Sequence, residues 1–234
     1  VKLDSLRQVF DFSYAWEYRD VLLSGLLTNF LVFVGAVLLA TLSGFAVCLG
    51  RLSRYRAARG AGTFYVELFR NTPEYVFLTW VHFVLPLILT HLLTTRVNFP
   101  PTLSAVLALG ICYSGYFAET FRAGILSIGR GQLDAGRAVG MNRALLLRRI
   151  VLPQAIRRVL PEALNNCVSL LKATSIVSLI AVPDLMYQVV NIVQYEMRPL
   201  PLYSSAAFLF FGIIFALSTV VQLLTERWRT RGWV

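Results

Sequence analysis

The chain of 234 residues is 57% hydrophobic and only 15% charged, with a formal charge of +10 and a mean hydropathy of +0.65. Soluble domains carry about 25% charged residues, so the composition argues against a soluble enzyme or binding module. Cys48, Cys112 and Cys167 are odd in number and widely spaced in apolar settings, a pattern of small buried hydrophobes rather than of a metal site or a disulfide framework.

In chain order, the first twenty residues are polar and mixed, and Val21 to Gly50 follows as thirty residues without a charge. A run this long, placed after a polar segment, reads as a retained span and not as a cleaved signal. Tyr75 to Thr95, Val97 to Ala118 and Pro199 to Thr225 are further uncharged runs. Each has the roughly 20 residues that a bilayer-crossing helix needs. Glu162 to Pro183 makes a fifth, with Lys172 as its only interior charge. The predicted architecture is an all-α membrane protein with spans at about 22–46, 62–90, 101–124, 159–182 and 201–224. The second contains Pro73, which predicts a tilt or a kink.

The links between spans fix a direction. Arg51, Arg54, Arg56 and Arg59 follow the first span. Arg122, Arg130, Arg137, Arg143, Arg148, Arg149, Arg157 and Arg158 lie between the third and fourth, and Arg227, Arg229 and Arg231 follow the fifth. Only Asp134 and Glu226 oppose these. Lys2, Arg7, Arg19, Arg96 and Arg198 fall on the other side with six acids, Asp4, Asp11, Glu17, Asp20, Asp184 and Glu196. By the positive-inside rule the N-terminus is outside and the C-terminus cytoplasmic. The net charge thus reflects topology and contact with anionic lipid, and not a nucleic-acid partner. The expected organisation is an outer segment at 1–20, a transmembrane domain at 21–225 with a cytoplasmic loop at about 126–153, and a tail at 226–234.

That loop favours helix on both sides of Gly140, where a glycine can end one helix and turn the chain into another. Asn142 is placed to cap the second helix, and Pro153 marks a break before the fourth span. Periodicity alone leaves two readings open: an amphipathic linker lying on the membrane, or a helix docked in a groove of a cytoplasmic partner.

Six ionisable residues stand at membrane depth, where each is costly: Glu67, Arg70, Glu74, Glu119, Glu162 and Lys172. Glu67, Arg70 and Glu74 form one stripe if the helix continues through Pro73, and read first as a salt-bridged hinge. Asn71 and Glu74 are the candidates there for a solute path. Glu162, Asn165, Ser169 and Lys172 recur at helical spacing beside Asn166, which points to a subunit interface or a polar cavity. Glu119 is the expected counter-charge for Lys172. Together with Asn165, Asn166 and Thr174, the pair could bind the ammonium and carboxylate of an amino acid, or could only hold two spans together. His82 and His91 read as interfacial groups, as do Tyr75, Trp80, Trp228 and Trp233. GRLSR, Gly50 to Arg54, is a basic turn.

Asp134-Ala135-Gly136, then Gly140 and then Ile150-Val151-Leu152-Pro153 resemble the signature loop of ABC importer permeases, E-A-A, three residues, G, nine residues, I-x-L-P. ELFRNTP at Glu67 to Pro73, GYFAETFRAGILSIGRGQ at Gly115 to Gln132 and SLLKATS at Ser169 to Ser175 resemble the polar amino acid branch of that family, the histidine, glutamine and arginine type. The likeness covers residues 20 to 225. Asp134 for glutamate, Gly136 for alanine, Glu74 for an apolar residue and Ala173 for aspartate depart from the pattern.

The resemblance implies a type I importer permease in the bacterial inner membrane. It pairs with a second permease, identical or paralogous, above two ATPase subunits, and receives its solute from a periplasmic binding protein. Asp134, Ala135, Gly136, Ala138, Gly140, Met141, Asn142, Arg143 and Leu146 would then form the coupling loop. No GxxxxGK[ST] motif occurs in the chain. ATP and Mg would belong to the partner, with no cofactor or bond chemistry in this chain. The alternative is a subunit of a secondary transporter or pore without an ATPase, although no inverted repeat is evident.

Overall fold

The structure is a computed structural model in which residues 12–230 are described. Lys2, Asp4, Arg7, Asp11, Arg231 and Trp233 lie outside the described residues. Among those described, all regular structure is helical: α1 Ser13–Glu17, α2 Arg19–Arg51, α3 Arg56–Asn71, α4 Glu74–Leu93, α5 Pro101–Leu126, α6 Arg130–Ala138, α7 Arg143–Ile180, α8 Leu185–Glu196 and α9 Pro199–Thr230. Helices α2, α4, α5, α7 and α9 are long and apolar enough to cross a membrane. The fifth continues to Thr230, so the tail expected from 226 begins as part of that helix.

Helix α2 shows why a sequence with almost no polar residues still has two faces. Leu22, Asn29, Val32, Ala36, Ala40 and Cys48 are buried, at spacings that keep to one side of a helix. Leu23, Leu27, Leu31, Leu38 and Leu42 are exposed on the other. In lipid the large leucines gain nothing by turning inward. Small residues go to the packed side, where close approach yields van der Waals contact.

Two compact units divide the described residues, at 12–37, 73–110 and 169–217 and at 38–72, 111–168 and 218–230. In the first, Leu22, Leu185, Val189, Ile192, Leu202 and Ala206 form a buried cluster. Gly25 lets the backbone of Asp184 and Leu185 approach so closely that an added Cβ would lie 2.8 Å from Leu185 Cα. Tyr18 Oη donates to Glu196 at 2.6 Å, and His82 Nδ1 lies 3.0 Å from Ser104 Oγ. In the second unit, a Cβ on Gly44 would meet Phe117 Cβ at 2.8 Å, and one on Gly124 would overlap Val159 Cγ2. These glycines are seats for neighbouring helices.

Three expectations are corrected. The second span is not a helix over 62–90: α3 ends at Asn71, Thr72 and Pro73 are extended, and α4 starts at Glu74. Proline disfavours helix in the residue before it, and Thr72 at ψ 129° obeys. The fourth span begins far earlier than 159, and Pro153 does not break it. The backbone widens to a π-turn over Leu147–Val151 and resumes as α-helix at Leu152. The same device precedes Pro86, after the π-turn Trp80–Val84. In both places one looser turn ends two residues before the proline, where its ring and missing N–H would otherwise disrupt a regular ladder. Finally, the far end of α7 tightens to 3₁₀ over Thr174–Ile180 and stops at Ala181, whose φ is 59°.

Candidate functional site

The loop between the third and fourth spans is a helix, a turn and a helix. At the end of α6 the Met141 amide donates to Gly136 O at 3.0 Å and the Gly140 amide to Arg137 O at 2.9 Å. This pair of bonds is a Schellman closure. It requires a left-handed residue, and Gly140 stands at φ 80°. Asn142 then caps α7, its side chain accepting from the Leu145 amide at 2.9 Å.

Gly136 is buried, although the family signature would put alanine there. A Cβ at this position would overlap Leu146 Cδ2 and meet Ile150 Cδ1 at 2.9 Å. The departure follows from packing: Leu146 and Ile150 close on α6 across the turn, and Leu146 is buried by it. Asp134 pairs with Arg137 at 2.8 Å, both well exposed. A pair of that kind adds little stability. Ala135, Ala138, Gly140, Asn142 and Arg143 are exposed and Met141 half-buried. Val139, which the sequence did not single out, is 74% exposed at the tip. Its signal is only its place, the last residue before a helix-ending glycine.

The polar residues of α7 separate into two sets. Glu162, Asn165, Ser169 and Lys172 are all exposed along one helix face. Asn166 and Thr174 are buried, and each is engaged: Asn166 Nδ2 donates to Thr120 Oγ1 at 3.0 Å, and Thr174 O accepts from Asn29 Nδ2 at 3.1 Å.

Glu119 does not serve Lys172. Its carboxylate is held by Arg51 from α2 and by Arg122, one turn further along α5. Two guanidinium groups occupy both oxygens, so the expected Glu119–Lys172 pair is replaced by an arginine–glutamate–arginine bridge. Arg122 was readable at i+3; Arg51, 68 positions away, was not.

The stripe through Glu67, Arg70 and Glu74 is interrupted by the break at Pro73. Asn71 turns back and donates to Glu67 O at 2.7 Å and Glu67 Oε2 at 3.2 Å. Arg70 stacks over Tyr116, 5.3 Å from the ring centre. Glu74, half-buried, opens α4, where a carboxylate suits the helix N-terminus.

A further polar centre was missed. Asn29 is the only asparagine in the first uncharged run. Its Nδ2 donates to Thr174 O and to Asp184 Oδ2, both at 3.1 Å, and its Oδ1 accepts from the Leu185 amide at 3.0 Å. Asp184 in turn caps α8, accepting from the Tyr187 amide at 2.9 Å. No cluster of three or more metal-ligating side chains occurs among the described residues.

Long apolar helices around a signature loop define an integral membrane subunit. Residues 36–230 match the family of inner membrane components of binding-protein-dependent transport systems, and the chain belongs to that family. A probable amino-acid ABC transporter permease, y4tF of Sinorhizobium fredii, is 32% identical over 86% of this chain and 84% of that protein. The glutamine transport permease GlnP of Escherichia coli K12 is 31% identical over 93% and 97%. Among solved structures, an amino acid ABC transporter described "with histidines" superposes with a TM-score of 0.84 at 30% identity, covering 93% of this chain and 98% of that one. A chain of the methionine transporter MetNI, at 15% identity and a TM-score of 0.72 over 90% and 97%, shares the fold. The protein is therefore a multi-pass component of the inner membrane, and its relatives are transport components rather than catalytic subunits.

Proposed function

We propose that this chain is the permease of an ATP-driven importer for a polar amino acid, and that its cytoplasmic loop couples it to a separate ATPase. The observation that carries this reading is the helix–turn–helix at 130–146, held by the Gly140 closure and exposing Val139, in a chain of the binding-protein-dependent family. A rigid exposed turn can transmit movement of a nucleotide-binding subunit to α5 and α7, which it joins directly. Alternating access then follows from motion of those spans. The N-terminus is outside and the loop cytoplasmic, as the arginine bias requires. The partners are a second permease, two ATPase subunits that bind ATP and Mg, and a periplasmic binding protein.

The solute class rests on the relatives, which carry amino acids by name. On α7, Lys172 and Ser169 are exposed next to one another at i+3 and supply a cation and a hydroxyl for a carboxylate. Glu162 is ten residues from Lys172 on the helix, about 15 Å along its axis, too far to take the ammonium of the same α-amino acid. Asn165, exposed on α7, and Asn71 and Glu74 are the remaining candidates for contact with solute. Glu119 is assigned to structure.

The test is ATP hydrolysis in proteoliposomes containing the permease, its ATPase and its binding protein, with individual amino acids added. Stimulation by one polar amino acid, abolished by Gly140→Val with the subunits still associated, is the expected result. A β-branched residue at φ 80° is strained, so the closure and its coupling fail. Solute flux through the chain without any ATPase would instead establish a secondary transporter or pore.

A further inference from the structure

We propose that the second unit carries a binding site for the phosphate headgroup of an anionic phospholipid, built by Arg51, Arg56, Arg59 and Arg122 with Thr63 and Phe64. These residues line one open depression of about 670 Å³. The arginines come from three helices: Arg51 ends α2, Arg56 and Arg59 open α3, and Arg122 lies near the end of α5. Glu119 binds Arg51 and Arg122 together. The lining holds four arginines and no acid, and the one carboxylate of Glu119 binds two of them, so a net three positive charges remain.

Other groups at the depression act in the same sense. Arg59 Nη1 donates to Ser53 O at 3.2 Å and to Arg54 O at 3.3 Å, which anchors its side chain on the preceding turn. Tyr55 stands at the N-cap of α3 with no side-chain cap. The first-turn amides of a sixteen-residue helix therefore add their partial positive charge beside Arg56. Thr63 contributes a hydroxyl. Planar guanidinium groups match phosphate oxygens bidentately, as lysines do not.

Two observations favour a lipid over a soluble anion. Val21 to Arg51 spans about 45 Å of helix, the thickness of a bilayer with its headgroups, so Arg51 stands at headgroup level when Val21 does. The depression is also bordered by apolar surface that a soluble ligand would leave bare. Phe64, in its lining, is 69% exposed. A phosphate among the arginines with acyl chains along this surface satisfies both. Basic pockets between membrane helices have this chemistry.

The test uses the complete importer, purified in detergent and stripped of lipid, with retained lipid read by native mass spectrometry. The probes are phosphatidylglycerol, phosphatidylcholine of the same acyl chains, and inorganic phosphate. Arg56→Gln with Arg59→Gln removes two cations and leaves the Glu119 bridge intact. The expected result is phosphatidylglycerol retained by the wild type, bound about 30-fold more weakly by the double variant, and not displaced by equimolar phosphate. Gly60→Phe is a second variant. Gly60 lines the depression and a Cβ on it meets nothing within 4 Å, so the ring fills the space and keeps every arginine. It should weaken retention comparably. Unchanged retention in both variants overturns the proposal, as does equal retention of phosphatidylcholine. Displacement by phosphate would show a soluble-anion site instead. Loss of the ATPase with lipid still bound would show that the arginines dock a protein.

Discussion

Asp184 is fully buried and yet carries an ionisable carboxyl group. Burial drives its pKa up from 3.8 to about 6, and the hydrogen bonds from the Tyr187 amide and Asn29 only partly oppose that shift. The folded pKa exceeds the unfolded one, so the protonated form favours the fold. The stability it contributes is complete below about 3.8 and is lost as pH rises through about 6. Thermal unfolding in detergent should therefore show this group's contribution falling between those values. Asn29→Leu removes a donor to Asp184 and the acceptor for the Leu185 amide. It should cost about 1–3 kcal/mol and move the window above pH 6, as melting curves across pH 4–8 would show. A melting curve of the variant parallel to that of the wild type would exclude the linkage.

Glu119 was legible in the sequence as a costly charge at membrane depth, and its neighbour Arg122 was legible at one turn. Arg51 was not, because the helices that bring residues 51 and 119 together are specified by packing, for which Gly44 against Phe117 is the local condition. Hence the sequence offered Lys172 as the partner, and the structure supplies two arginines. Glu119→Gln should leave two guanidinium groups facing each other. It should cost on the order of 1–3 kcal/mol, between an exposed and a fully buried pair. Lys172→Ala, which breaks no ion pair among the described residues, should leave the melting temperature within a degree or two.

At the scale of elements, helix existence followed from hydrophobic length, and the turn at Gly140 and the cap at Asn142 followed from local chemistry. Helix continuity did not. Pro73 and Pro153 look alike in sequence, but the first ends a helix and the second is absorbed by a π-turn. The difference lies in the upstream turn. Asn71 and Thr72 before Pro73 bond back to carbonyls of their own helix, at Glu67 and Leu68. Such side-chain bonds compete with the ladder and favour its ending. The residues Leu147 to Val151 before Pro153 have no such short polar groups.

Gly136 gives the element-scale prediction. Alanine matches the family signature but places a Cβ against the ends of Leu146 and Ile150. Those ends are flexible, so Gly136→Ala should fold, at a cost of about 1 kcal/mol. It should also lower solute-stimulated ATP hydrolysis severalfold by tilting α6 on α7. Adding Leu146→Val removes the nearer contact and should restore most of the activity. Failure of that rescue would mean that Gly136 is needed for something other than the space it leaves to Leu146.

For the whole molecule, the exposed face of α7 argues that the chain does not work alone. Glu162, Asn165, Ser169 and Lys172 stand uncovered on a helix whose length suits a membrane span. In contact with lipid such a stripe would be costly, so if the chain is one subunit of an importer, as proposed, the stripe meets a partner helix or water. These two environments give opposite results for Lys172→Ala. If Lys172 faces a water-filled path and takes the solute carboxylate, the variant assembles normally with its ATPase. Solute-stimulated hydrolysis then falls tenfold or more, while basal hydrolysis is unchanged. If Lys172 pairs with a carboxylate of a neighbouring subunit, the complex dissociates on size exclusion and basal and stimulated rates fall together. The first outcome is expected, because Ser169 lies one turn away and adds a second donor for the same carboxylate, a pairing that a simple intersubunit ion pair would not require.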